Sequence, residues 1–155
     1  KRKGNMRRFI KSVSALCIIM VIAAPWTSLA DILVVEVANI QSPGELHIAI
    51  YDDAKAFQGD KGEKGGPAEG IIDGVIQEVS GEAVWFRFEL PEGRYAIGVF
   101  HDANRNNRLD TGLFGIPKEQ FGFSNNAMGR FGPPSFEAAS FVVSGSAAQS
   151  ITLSD

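Results

Sequence analysis

Residues 84–99 read VWFRFELPEGRYAIGV, and this segment gives the clearest indication of the fold class. Before the turn, large apolar residues alternate with polar ones, which is the period of two that places one strand face against a core. Pro91 presets φ at a turn position, and Gly93 tolerates conformations closed to other residues. The alternation resumes at Tyr95. The stretch therefore predicts two strands joined by a tight turn, with Tyr95 either bonded back to that corner or simply packed in the core.

Comparable segments recur along the rest of the chain, separated by turn residues. They are rich in β-branched and aromatic side chains and show almost no helical periodicity. Together they predict an all-β fold, an antiparallel immunoglobulin-like or transthyretin-like β-sandwich of about seven strands, as a single domain over residues 31–155. The further predicted strands cover residues 32–40, 46–51, 71–79, 136–143 and 150–153.

The first thirty residues have the three parts of a secretory signal peptide. A basic region ends at Lys11, an apolar run of twelve residues follows at 13–24, and small residues precede Asp31. A membrane-spanning helix needs about 20 apolar residues, so an uncleaved anchor is the less favoured alternative. We expect cleavage between Ala30 and Asp31, translation from Met6, no stable membrane anchor after cleavage, and a periplasmic or secreted location.

Charge is segregated along the chain and excludes one class of function. The 15 bases and 18 acids give a net charge of −3. Six of the bases lie in the first eleven residues, so residues 31–155 carry nine bases against all 18 acids. An acidic domain lacks the basic face that nucleic-acid binding requires. The single cysteine, Cys17, lies in the apolar run, so the mature domain has no thiol nucleophile and no cysteine-based metal site.

The segment after the Tyr95 strand contains a pattern typical of cation-binding loops. Asp102, Asn104, Asn106 and Asp110 give D-x-N-x-N-x-x-x-D, which places oxygen ligands at the first, third, fifth and ninth positions. The backbone carbonyl of Arg108 would occupy the seventh. Calcium takes six to eight oxygen ligands, and alternate residues of a tight loop supply them at one point. The spacing predicts a calcium site in this loop.

Two departures distinguish this loop from an EF-hand. Asn107 replaces the usual glycine at the sixth position, an exchange that asparagine tolerates because it adopts left-handed conformations readily. The twelfth position is Leu113, so the bidentate glutamate is missing. We expect Glu119 to supply the last carboxylate, with Glu137 as the next candidate. A metal-free turn rich in Asx hydrogen bonds is the alternative interpretation.

The loops over residues 114–131 are rich in phenylalanine, glycine and asparagine. The aromatic residues could form an exposed platform for a ligand, but we expect them to fold back over an open end of the sandwich, because long loops need a buried anchor. Ser124, Asn125 and Asn126 could contact a ligand or lock the loop by bonding to its backbone, and locking is the expected role. The phenylalanines are Phe114, Phe121, Phe123, Phe131 and Phe136.

No catalytic constellation stands out. His101 and Asp102 are adjacent, but neighbours in a strand point to opposite faces and cannot easily cooperate. Gly122, Phe123 and Ser124 lack the strand-to-helix context of a nucleophile elbow. We therefore expect a non-enzymatic accessory or binding domain that holds calcium, with an unknown protein or glycan partner. The alternatives are a glycan- or peptide-binding module that uses the 114–131 loops, and a metal-free structural sandwich.

Two blocks of this sequence resemble a bacterial family. LPEGRYAIGVFHDANRNNRLD, over residues 90–110, and GIPKEQFGFSNN, over residues 115–126, are similar to DUF2141, small secreted proteins of uncharacterised function. Asn107 departs from the family pattern, which usually has glycine there. The resemblance extends over nearly all of residues 32–153. It implies a compact β-sandwich similar to transthyretin-like and carboxypeptidase regulatory domains, and it implies no established activity.

Overall fold

The structure, a computed structural model, describes residues 30–155. The predicted signal peptide, with Met6 and Cys17, lies outside the described residues except for Ala30. Within them, eight strands form two sheets, accompanied by two short α-helices and two single 3-10 turns, Leu113–Gly115 and Ser124–Asn126. The elements are β1 (Asp31–Ala38), β2 (Gly44–Tyr51), α1 (Ala54–Gly59), β3 (Asp73–Val79), β4 (Ala83–Leu90), β5 (Gly93–Asp102), β6 (Phe121–Phe123), α2 (Phe136–Ala139), β7 (Phe141–Val143) and β8 (Ser146–Thr152).

The first sheet has three strands in the order β4-β1-β8. β1 is antiparallel to β4, with Val35 opposite Phe86, and parallel to β8, with Val35 opposite Gln149. The prediction of a β-sandwich is confirmed, but one pair of strands is parallel. Alternation along a strand reports which face each side chain takes and carries no information on strand direction, so this pair was not predictable from the pattern.

The second sheet has the order β3-β2-β5-β6, and β7 pairs with the start of β5. All of these pairs are antiparallel. The core lies between the inner faces of the two sheets. Alternate residues of each strand supply it, as the period-two pattern predicted. Its fully buried members include Leu33, Val35 and Val37 of β1, Leu46 and Ile50 of β2, Ile97 of β5 and Ile151 of β8.

The turn between β4 and β5 contains the bonded tyrosine corner, one of the two arrangements expected from the sequence. Tyr95 is buried, and its hydroxyl donates to the carbonyl of Pro91 at 2.8 Å. Gly93 is required for close approach, because a Cβ there would lie 2.9 Å from the Tyr95 hydroxyl oxygen. The corner joins the two sheets across the end of the core.

The prediction of one strand over residues 136–143 is wrong in its first half. Residues Phe136–Ala139 form the helical turn α2, and only Phe141–Val143 pair as a strand. Ser135 caps the turn by accepting a hydrogen bond from the Ala138 N–H at 3.2 Å, and such a cap stabilises a helix start. Within residues 30–155, no helix has both the length and the apolar character needed to cross a membrane.

Candidate functional site

The predicted cation loop begins where β5 ends, at Asp102, which is fully buried. Its Oδ1 accepts a hydrogen bond from the Asn106 N–H at 3.1 Å, and its Oδ2 accepts one from the Asn107 N–H at 2.6 Å. These two bonds fold the loop back over the carboxylate. Asp102 is therefore the anchor around which the loop forms.

The two asparagines shape the loop through their side-chain carbonyls. Asn104 Oδ1 accepts from the Asn106 N–H at 3.1 Å, and Asn106 Oδ1 accepts from the Arg108 N–H at 3.1 Å. Both bonds span two residues, which is the geometry of an Asx turn. The structure thus brings the oxygen-bearing side chains of the predicted site into one compact loop.

Asp110 receives donors from three residues of the same loop. The Nδ2 atoms of Asn104 and Asn106 donate to its Oδ2 at 2.7 and 3.0 Å, and the Arg108 Nε donates to its Oδ1 at 3.1 Å. Hydrogen bonds from Asn104, then Asn106 and Arg108, lower the pKa of the Asp110 carboxyl below its ordinary value. In this arrangement, amide nitrogens face Asp110 and amide carbonyls face the backbone.

Backbone conformation in the loop agrees with the expectation for the sixth position. Asn107 has φ of 62°, the left-handed conformation that glycine usually provides there. Arg105 is also left-handed, at φ 60°, which the sequence pattern did not predict. Its guanidinium pairs with Glu78 of β3 at 2.7 and 3.0 Å. This pair ties the loop to the edge of the second sheet.

Glu119, the residue expected to supply the last carboxylate, lies against the loop. Its Oε1 accepts from the Ala103 N–H and its Oε2 from the Asp110 N–H, each at 3.0 Å. One carboxylate thus bridges both ends of the loop. Glu137, the other candidate, lies in the first turn of α2.

A second cluster adjoins the loop on the outer face of β2 and β5, and the sequence reading missed it. Glu45 is directly opposite Asp102 in the ladder, and His47 lies two pairs further along, on the same face. The Nε2 atom of His47 is 3.7 Å from Glu45 Oε2 and 3.6 Å from Asp102 Oδ2. Burial lowers the pKa of His47, and the Asp102 and Glu45 carboxylates oppose this effect. The E-x-H spacing on a strand was the available signal.

His101 and Asp102 point to opposite faces of the sheet, as predicted. Asp102 faces His47 on the outer side, whereas His101 is buried against Gly44, where a Cβ would lie 2.6 Å from the His101 Nε2. Burial lowers the pKa of His101 below its ordinary value. The two side chains therefore do not face each other.

A cleft of about 860 Å³ lies over the outer face of the second sheet. The floor of the cleft lies close to the sheet backbone because the residues there are small. Ala49 of β2 pairs with Gly98 of β5 on one side and with Gly74 of β3 on the other. The volume falls in the range of small-molecule pockets, roughly 300–1,000 Å³. Aromatic residues form much of its wall: Tyr51, Phe57, Phe100, Phe121 and Phe123.

The five phenylalanines of the 114–136 region divide between the two expected roles. Phe123 and Phe136 pack edge-on against the buried Phe57, with ring centroids at 5.8 and 6.0 Å, so these two do fold back, but onto the outer face of the second sheet and not over an open end of the sandwich. Phe121 is half-buried. The expectation of folding back is wrong for Phe114 and Phe131, which are 99% and 102% exposed at the rim of the cleft.

The block Ser124, Asn125 and Asn126 forms backbone locks, as expected. The Ser124 hydroxyl joins β5 to α2, by accepting from the Ile97 N–H and donating to the Ala139 carbonyl. Asn125 donates to the carbonyls of Ala138 and Ser140, and Asn126 holds β8 through Ser150 and Thr152. The hydrogen-bonding groups of these side chains are therefore engaged within the fold.

Comparison with known proteins finds one similarity, to a family model that covers nearly the whole domain. No curated protein and no solved structure matches the chain significantly. The family model described as "Uncharacterized protein conserved in bacteria (DUF2141)" matches residues 35–152, from the middle of β1 to the end of β8. This match includes the Asp102–Asp110 loop, both histidines and the Ser124 block. The chain belongs to the DUF2141 family.

Proposed function

We propose that this chain is a non-enzymatic, exported binding or accessory domain whose Asp102–Asp110 loop binds calcium. The observation that carries the proposal is the fully buried carboxylate of Asp102 at the centre of a loop with oxygen donors at the expected spacing. A buried carboxylate is costly without a positive partner, and Asp102, which accepts two backbone hydrogen bonds, forms no ion pair with lysine or arginine within residues 30–155.

To receive a cation, the loop would have to rotate the terminal amides of Asn104 and Asn106 and give up their Asx-turn bonds to the Asn106 and Arg108 N–H groups. Asn104 and Asn106 each carry a carbonyl oxygen and an amide nitrogen on one planar carbon, so a half-turn of the terminal amide exchanges the two. After that rotation, both carbonyls would face Asp110 across the space that the amide nitrogens now occupy. Glu119 lies beside them with a carboxylate that closes both ends of the loop. Such an oxygen set suits a hard cation.

Thermal unfolding with calcium and with a chelator tests the proposal. At 100-fold excess over Kd, one site that exists only in the folded state adds about 2.7 kcal/mol of stability. Asp110→Ala should abolish this increment. Asp52→Ala is the matched control, because it removes an exposed carboxylate outside the loop and should leave the increment intact. Unchanged unfolding of the parent protein in millimolar calcium would refute the proposal and favour the metal-free turn.

A second candidate function is peptide binding in the cleft. Phe114 and Phe131 are exposed at its rim, and contiguous exposed apolar surface marks interaction sites. Asn125 and Asn126, the polar groups that a glycan would need, are engaged with backbone. We therefore favour an apolar peptide segment over a glycan.

Parallel peptide and glycan arrays test this candidate. Binding to apolar peptides that is lost in Phe114→Ala and retained in Phe136→Leu supports it, since Phe136 packs on Phe57 beneath the surface. Binding to glycans alone, or to neither array, would refute it.

A further inference from the structure

We propose a second cation site, formed by Glu45, His47 and Asp102, of the kind that binds a borderline transition-metal dication such as Zn²⁺. The three residues share the outer face of β2 and β5. Glu45 and His47 are two positions apart on β2, and Asp102 pairs directly with Glu45. The cluster thus rests on two hydrogen-bonded strands, which hold side chains more firmly than a loop does.

The distances between the three side chains suit ligands held around a small cation. The His47 Nε2 lies 3.6 and 3.7 Å from its two carboxylate oxygens, beyond hydrogen-bonding range. The three ligand atoms all lie within 4.8 Å of one another. Ligands bound to zinc at about 2.0–2.2 Å in tetrahedral geometry are about 3.4 Å apart. The two distances from the His47 Nε2 would have to contract by only a few tenths of an ångström to reach that spacing.

Among the described residues, only two backbone hydrogen bonds to Asp102 help to hold the negative charge of this cluster. Glu45 and Asp102 are like charges directly opposite in the ladder, an arrangement that is destabilising by itself. Within residues 30–155 neither forms an ion pair with lysine or arginine. The His47 side chain is 11% exposed, and its buried Nε2 has no hydrogen-bond partner among the described residues. A dication would neutralise the acids and engage this nitrogen.

Ring stacking fixes the imidazole in the orientation that the site requires. His47 lies opposite Phe100 in the ladder, and their rings stack at 4.4 Å with an interplanar angle of 16°. This contact restricts the ring while Nε2 faces the carboxylates. An imidazole ligand also distinguishes this site from the loop, because nitrogen suits zinc and similar ions whereas calcium prefers oxygen.

The two cation sites share Asp102 and differ in every other ligand. The Asp102 Oδ2 faces both His47 and the Asn107 N–H, whereas Asp110, Asn104 and Glu119 lie only on the loop side. Variants can therefore separate the two proposals. Asp110→Ala should remove calcium binding and leave zinc binding, and Glu45→Gln should do the reverse.

Calorimetric titration of the chelator-treated protein, without a polyhistidine tag, tests the inference with Zn²⁺ alone. His47→Phe keeps a ring to stack on Phe100 and removes the ligand nitrogen, so zinc affinity should fall at least about 100-fold, the upper end of the loss seen for supporting residues. His101→Asn is the matched control and should retain zinc binding, because the other histidine of the chain lies on the opposite face.

Two further measurements keep the test decisive. Glu45→Gln, at a partly exposed position, serves if His47→Phe does not fold. Visible absorption of bound Co²⁺ should show a nitrogen-ligated site of low coordination number in the parent protein and lose it in both variants. Equal zinc affinity in parent and His47→Phe, no zinc binding by the folded parent, or loss of zinc binding in Asp110→Ala alone would each overturn the inference.

Discussion

Replacing Ser124 by alanine tests whether the Ser124–Asn126 block, which follows β6, is a structural lock. Ser124 is fully buried. Its hydroxyl accepts from the Ile97 N–H at 2.9 Å and donates to the Ala139 carbonyl at 2.5 Å. Alanine would leave a buried donor and a buried acceptor without partners. Each such group costs about 1–3 kcal/mol, so we expect Ser124→Ala to lower the free energy of unfolding by about 2–5 kcal/mol.

Ser140→Ala is the matched control for this change. Its hydroxyl also makes two hydrogen bonds, one to the Glu137 carbonyl and one from Arg94, but it lies nearer the surface, where water can replace them. Urea unfolding measures both variants. If the free energy of unfolding falls by about 1.5 kcal/mol per molar urea, the Ser124 variant should have its unfolding midpoint at a urea concentration about 1.5–3 M lower than the parent protein. Equal midpoints for the two alanine variants would refute the assignment of Ser124 as a lock.

Three further outcomes follow from named contacts. Tyr95→Phe removes the hydrogen bond to the Pro91 carbonyl and should lower the free energy of unfolding in urea by about 1 kcal/mol. An unchanged unfolding midpoint would show that this hydrogen bond does not stabilise the fold. Phe114 is fully exposed at φ 62°, so Phe114→Gly should relieve strain and raise stability by about 0.5–1 kcal/mol, and a loss of stability would contradict this. Burial lowers the pKa of His47 and His101 below 6.5, so the unfolded chain binds more protons near that pH. The free energy of unfolding should therefore be greatest above pH 7 and decline as the pH falls through 6.5, and a rise on acidification would contradict the sign.

Local patterns predicted the parts of the fold that depend on local chemistry. Alternation located β1, β2, β4 and β5, because one face of each strand is buried. Asx spacing located the loop from Asp102 to Asp110, since those hydrogen bonds span only a few residues. The residues from Phe136 to Ala139 have both helix-forming and strand-like character, and a serine cap decided between them.

Features that depend on strand register could not be predicted from the sequence. Glu45 and His47 are more than fifty residues from Asp102, and only the pairing of β2 with β5 brings them together. The exposure of Phe114 could not be predicted either, because an aromatic residue in a glycine-rich loop can be buried or can lie at the rim of a cleft. In both cases, the missing information was the identity of a distant neighbour.

The position of β1 between β4 and β8 has a consequence for the order in which the domain assembles. The second sheet can pair β2, β3 and β5 as soon as residue 102 is available. β1, which is made first, gains a neighbour on its parallel side only after residues 146–152 exist. Until then, one edge of β1, an apolar strand, stays open to pairing with another chain. A molecule shortened by its last ten residues should therefore associate with copies of itself, because the strand made first depends on the strand made last.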